Sequence, residues 1–527
     1  LMKHCAGLSA PLARAEWSPT PSVPLVSSPC CATFLSLLLV WASDRCSPSP
    51  TAHPSTCRVS ERSKNRTGED QRSTIVFTGR RTLYGQKEYL EPAEARLDEH
   101  CDPKHPKTLT SDQITAAAIA IKKADPNVFG GGVMRTEMRH SFLISRRAGM
   151  DVHLKMELNQ VTGSFKERGG RFALHNLTAE QRKAGAFAAS AGNHALALCY
   201  HGKQLGVPVT VCMPRHAPIM KIDKCISFGA EVIVQGKDLL AARKLALELS
   251  HQRGGTYING YDHIDVLAGA GTIGTEIMEQ MDNKVDAIVI PVGGGGLIAG
   301  ISVAIKRFWP HVEIIGVESV ANASMKKARD VGGPVLTELV PSLADGLSVS
   351  VVGVNSYHNS KDKIDRMVTV NESDIAIAVL RLIELEKVVP EGSGACGVAA
   401  LLSGQLDDLK SKKVVTIVTG GNIDSTALNR CIERGMAHDR RLVRFNVVVS
   451  DRPGAINELT SYIADLGVSI KDMILDRPYQ RHDIFSVRAN IVAETRGSEH
   501  AEKLNTKLME RYGPIDCQFK HMPFAAK

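Results

Sequence analysis

Through the middle of this chain short apolar runs alternate with longer amphipathic stretches, and that alternation constrains the fold most. DVHLKME, AGAFAAS, PVTVCMP, AEVIVQG, GTYING, DAIVIPV, VEIIGVE and VVTIVTG have strand length, and helical segments such as 238–252 separate many of them. Strand and helix at this spacing predict an α/β fold, a parallel sheet with helices on both faces. Ligands in such folds sit beyond the carboxyl ends of the strands, where glycine-rich turns feed helices. Order is expected from TSDQITAAAIAIKKADP onward, a helix capped by Ser111 or Asp112 and stopped by Pro126.

The ends differ. From 441 the pattern reads strand 441–450, helix 453–466, strands 468–476 and 483–493, helix 498–512 and strand 515–519, a βαββαβ order that predicts a ferredoxin-like module. Residues 1–60 hold eight prolines and eleven serines without sustained periodicity and cannot build a core. The expected division is a disordered or targeting leader over 1–105, a main α/β unit over 106–440 with a small lobe near 188–265, and a separate module over 441–527.

Composition narrows the class. A net charge of +8 with no dense basic run among aromatics argues against nucleic-acid binding. No stretch approaches the ~18 apolar residues of a membrane span; TFLSLLLVWA (33–42) has only signal-peptide length. Five of twelve cysteines fall in the first sixty residues and the rest are scattered without a CxxC pair, so they read as reduced thiols rather than metal ligands. A cytoplasmic location is expected, with a mitochondrial one as the alternative for a leader poor in acidic residues.

Four motifs carry chemistry. In KMELNQVTGSFKERGG, Lys166 follows a Gly–Ser turn and opens a helix; a lysine desolvated there has a lowered pKa and can form a Schiff base. Alone it reads as an ordinary helix-surface lysine, and the neighbouring motifs reverse that. SAGNHA places the N–H groups of Ser190, Ala191, Gly192 and Asn193 at a helix start, a nest for a carboxylate or a plain cap. Gly293, Gly294, Gly295, Gly296 and Leu297 follow a strand and open a helix, where bare backbone and helix dipole favour phosphate. The lysine of a nucleotide-binding P-loop is absent. VVTIVTGGN sets the Thr419 hydroxyl at a strand end, able to meet a ring nitrogen.

TGSFK, SAGNHA, GGGGL and GGN, in this order over about 108–435, resemble the fold-type II pyridoxal-phosphate enzymes, in particular the threonine/serine dehydratase branch. The resemblance implies that Lys166 holds pyridoxal 5'-phosphate covalently and acts as general base. Phe165 would pack on the cofactor, Asn193 meet its phenolic oxygen, Gly293 to Leu297 bind its phosphate and Thr419 face its ring nitrogen. Ser190, Ala191, Gly192, Asn193 and His194 would hold the substrate carboxylate, with Glu391, Asp345 and Gly346 nearby. The implied reaction is α,β-elimination of L-threonine to 2-oxobutanoate and ammonia, with L-serine to pyruvate on the side.

The chain departs from the family at Glu137–Met138, where Thr–Pro is usual, at Leu196–Ala197, which replace Gln–Gly, and at Thr419, where Ser is more common. The family's divalent-ion site is matched by Glu318 but not by Ser324, so no metal is expected beyond a candidate role for Glu318. RFNVVVSDRPGAINELTSYIADLGVSIKDM resembles an ACT amino-acid-sensing domain over 441–519, implying an amino-acid effector and a homodimer or homotetramer. The alternatives are a serine racemase or serine dehydratase, and a non-catalytic amino-acid sensor; related racemases carry Ser where this chain has Ala191.

Overall fold

The computed structural model describes residues 104–122, 132–282, 284–477 and 484–520, with short strand segments between 57 and 77. The described residues all belong to one compact unit. Most of the expected leader lies outside the described residues. Within it Cys57–Ser60 pairs antiparallel with Thr74–Phe77, which reads TIVF, β-branched and aromatic.

The first helix, Ser111–Lys122, is capped one residue earlier than expected. Thr110 Oγ1 accepts from Gln113 N at 3.2 Å while Gln113 Oε1 accepts from Thr110 N at 2.9 Å, a reciprocal capping box. All eight apolar runs named above fall on strands. The large sheet runs in the order Arg366–Val370, Glu313–Ser319, Ala287–Pro291, Lys413–Ile417, Asp151–Lys155 and Met138–His140. Its neighbours are parallel except the last pair. Between Asp151–Lys155 and Ala287–Pro291 the chain builds a smaller parallel sheet, ordered Thr256–Tyr257, Ala186–Ala189, Val209–Met213 and Glu231–Val234. Apolar clusters cover both faces of the large sheet, one around Val152, Val289 and Val379, the other around Ile288, Ile298 and Ile305.

One buried polar network sets the catalytic helix in place. In Lys166–His175, the side chain of Arg168 is fully buried and bonds Glu157 at 2.7 and 2.8 Å and Glu276 at 2.8 and 2.9 Å. Lys155 completes it at 2.6 Å from Glu276. Two cations thus face two carboxylates, and no charge is left uncompensated in the low-dielectric interior. The helix also lies against Ile264–Gln280 at backbone distance: a Cβ on Gly269 would stand 2.4 Å from the Arg168 carbonyl oxygen.

The last segment runs Leu442–Ser450, helix Ala455–Asp465, Ser469–Asp476, Ser486–Glu494, helix Ser498–Asp516 and Cys517–Lys520. The second helix breaks at Gly513, whose φ is 78°, just ahead of Pro514. The four strands form an antiparallel sheet ordered second, third, first, fourth. Its apolar face packs around Phe445, Leu459, Ile491 and Leu504. No described helix is long and apolar enough to cross a membrane.

Candidate active site

Lys166 stands at the first position of its helix because the TGSFK turn is tied to the end of strand Lys413–Ile417. Phe165 N donates to Thr419 O at 3.0 Å, Gly421 N to Gly163 O at 2.9 Å, and Ser164 bridges Gly420. Asn422 adds a side-chain tie, its Nδ2 donating to Thr162 O at 2.7 Å and to Asn193 Oδ1 at 2.8 Å. Two motifs more than 250 residues apart thereby become one loop pair.

The Lys166 amine donates to Gly260 O at 2.6 Å. Burial lowers its pKa to about 8, with the Glu391 carboxylate opposing that shift. Asn193, which opens helix Asn193–Leu205, donates from Nδ2 to Glu391 Oε1 at 2.8 Å, and Ser393 Oγ donates to the same oxygen at 2.7 Å. Burial pushes the Glu391 carboxyl above its usual range. His194 is held neutral, its pKa lowered to about 3 by burial and by Lys166; Nε2 lies 2.9 Å from Ile258 O. The Nε2 proton is therefore the one donated, and buried Nδ1 has no partner among the described residues.

Phe165, Lys166, Ser190, Ala191, Gly192, Asn193, His194 and Thr419 line one cavity of about 1000 Å³, as do Glu391, Asp345 and Gly346. At the cavity Lys221 Nζ lies 3.7 Å from Asp345 Oδ2, linking the small-sheet lobe to the large. The glycine run is placed differently from the rest. Gly293 to Leu297 stand immediately behind the wall, backed against two of its residues. A Cβ on Gly294 would meet Tyr261 Cγ at 2.2 Å, and one on Gly293 would meet Leu347 Cα at 2.9 Å. Gly295, at φ 92°, caps helix Gly296–Phe308, whose first-turn N–H groups have no intrahelical acceptor.

Glu318 does not act as an open ligand. Its oxygens accept from Met325 N at 2.7 Å and Lys326 N at 2.9 Å, capping helix Ser324–Val331, and burial pushes its carboxyl up to about 7. Three contributors escaped sequence reasoning: Gly260 as the lysine's acceptor, Asn422 as the tie to Asn193, and Tyr261 against the glycine run. Asn422 had a signal in GGN; the loop Asn259–Asp262 had none beyond following a strand. The described cysteines, Cys199, Cys212, Cys225, Cys396, Cys431 and Cys517, are free and buried.

A buried amine titrating near 8, a glycine run that admits no Cβ, and a helix start whose first N–H groups lack intrahelical acceptors fit an aldehyde cofactor that carries a phosphate. Residues 130–420 match the family described as pyridoxal-phosphate dependent enzyme. The chain belongs to that family. Among its relatives, this pyridoxal-phosphate enzyme is 40% identical to an L-threonine ammonia-lyase of Thermotoga maritima over 379 residues, 72% of this chain and 94% of the other. A catabolic L-threonine dehydratase of Staphylococcus aureus is 40% identical over 314 residues, 58% of this chain and 88% of that one. Among solved structures, the processed threonine deaminase isoform 2 of Solanum lycopersicum superposes with a TM-score of 0.57 at 33% identity, covering 63% of this chain and 95% of that chain. A serine racemase of Dictyostelium discoideum gives 0.56 at 32%, covering 60% and 100%.

Proposed function

We propose that this enzyme converts L-threonine to 2-oxobutanoate and ammonia, and L-serine to pyruvate more slowly, under amino-acid control from residues 441–527. The observation that carries the proposal is the Lys166 amine, buried with its pKa lowered to about 8, in one cavity with SAGNHA and Thr419. When bound, pyridoxal phosphate supplies a sink for the electrons left on Cα. Lys166 removes the Cα proton as general base. N–H groups from Ser190 to His194 would hold the carboxylate, the glycine run would hold the phosphate, and Asn193 would meet the phenolic oxygen. Thr419 would offer a neutral hydroxyl to the ring nitrogen, an arrangement that would favour loss of the β-hydroxyl. Water leaves, and water returns on hydrolysis as ammonia departs.

Ala191 favours elimination over racemisation, because it brings no acid to the second face of Cα. The antiparallel order of the last four strands and the Gly454 turn at φ 98° support reading residues 441–527 as a ferredoxin-like ACT domain that binds an amino acid. Strand Ser469–Asp476 lies at that sheet's edge and suits pairing between subunits of a homodimer or homotetramer in the cytoplasm. The test is steady-state deamination of L-threonine and L-serine, with and without branched-chain amino acids, plus chiral analysis of recovered serine. A preference for L-serine, or D-serine as main product, overturns the reading.

A further inference from the structure

At the end of the large sheet away from Lys166, three side chains converge that the proposed reaction does not use. His140 and His153 are direct cross-strand partners in the antiparallel pair Met138–His140 and Asp151–Lys155. Asp151 precedes His153 by two residues, so the three share one face of the ribbon. His140 Nε2 is 3.0 Å and His153 Nε2 3.2 Å from the same oxygen, Asp151 Oδ1. All three ligand atoms lie within 4.8 Å of one another, the one such group of His, Cys, Asp and Glu among the described residues.

We infer that His140, Asp151 and His153 form a zinc(II) site. In tetrahedral zinc with bonds of about 2.0–2.1 Å, ligand atoms stand roughly 3.3 Å apart, close to the two separations at Asp151. A hydrogen-bonded triad accounts for the cluster less well. His153 Nε2 is buried and its 3.2 Å approach to Oδ1 is poorly aligned for a hydrogen bond, so the geometry suits a cation shared with Oδ1. Lys413, paired with Asp151 on the next strand, lies 3.6 Å from Oδ2 and leaves Oδ1 to the histidines. The site grades from exposed to partly buried, with half of the His140 side chain in solvent and 15% of His153, which gives an entry path and room for water as fourth ligand.

The cation would clip the edge strand Met138–His140 to its neighbour, and binding to the folded state alone would raise stability. The test uses full-length holoenzyme stripped with a chelator and titrated with zinc chloride by calorimetry, alongside thermal unfolding. Wild type is expected to bind one equivalent and unfold at higher temperature with zinc. His140→Ala, at an exposed position, should weaken binding by about tenfold or more and lose the thermal shift, and Asp151→Asn should do the same while keeping side-chain size. Zinc bound equally by wild type and both variants, or not bound by wild type, overturns the proposal.

Discussion

Lys166 Nζ donates to the Gly260 carbonyl oxygen across 2.6 Å, so the reactive amine of the large-sheet lobe rests on a loop leaving the small sheet. The loop is close because Gly260 has no side chain: a Cβ there would stand 2.6 Å from His194 Cγ. The amine is thus desolvated between the lobes before any ligand arrives.

That desolvation sets a pH dependence. Burial disfavours the ammonium form and lowers the Lys166 pKa from 10.5 to about 8, so the neutral, nucleophilic amine becomes the main form above that pH. Cofactor-free enzyme should combine with pyridoxal phosphate at a rate that rises with pH and levels off above about 8. Glu391 opposes the shift, so Glu391→Gln should move the profile to lower pH. Stopped-flow absorbance of cofactor uptake reads both; a rate still climbing steeply at pH 10 in wild type contradicts the assignment.

Lys166→Ala should remove covalent attachment and the general base together. Turnover of L-threonine is expected to fall by at least about a thousandfold, and the absorbance of bound cofactor should revert to that of the free aldehyde. Retention of a few per cent of wild-type activity places the base elsewhere.

Asn422→Ala tests a positioning residue. Asn422 occupies Asn193 Oδ1 and so aims Asn193 Nδ2 at Glu391 and the cavity. Losing the part-buried hydrogen bond to Asn193 costs about 0.5–1.5 kcal/mol, hence cofactor affinity should drop by about two- to tenfold, as read by titration of cofactor absorbance. Unchanged affinity means that Asn193 holds its orientation without help.

Much of this was legible locally. Interior strands announced themselves as continuous apolar runs because both faces are covered. The two missed in the large sheet, Met138–His140 and Arg366–Val370, lie at its edges, where half-exposed positions interrupt the run. The four motifs were readable because each is a turn whose chemistry sits in consecutive residues. Contacts such as Asn193 with Glu391, 198 residues away, have no local signature and emerge only once the sheets are assembled. The capping role of Glu318 was hidden for the same reason: sequence gives the carboxylate, not the helix start facing it.

Arg168→Met probes the network under the catalytic helix. The change leaves Glu157 without its buried guanidinium and Glu276 with only Lys155. Breaking a buried ion pair by removing one partner costs about 3–5 kcal/mol, so the denaturant midpoint should fall sharply. Activity at low temperature should decline less than after Lys166→Ala, because Arg168 is not among the residues that line the cavity. Unaltered stability would mean that water satisfies the two carboxylates.

Where the chain is cut before the last module should matter to the residue. Helix Ser425–His438 ends one position before Asp439, whose carboxylate pairs with the nearly buried Arg381, and Arg441 pairs with Glu384 at 2.6 Å. A chain ending at His438 removes Asp439 and leaves Arg381 with Glu384 alone. One ending at Arg440 keeps the Asp439–Arg381 tie and loses the pairs of Arg441 with Glu384 and Asp439, together with Arg440–Glu502 and Glu433–Lys471. The longer form should therefore bind cofactor, deaminate threonine and unfold at a higher temperature than the shorter. If residues 441–527 carry effector control, both forms should lose any response to isoleucine or valine, since coupling of ~1–3 kcal/mol requires an effector that distinguishes two global states. Activity assays, effector titration and solution mass on the three lengths decide it. An effector response that survives in the form ending at Arg440 would locate the control site within the catalytic lobes.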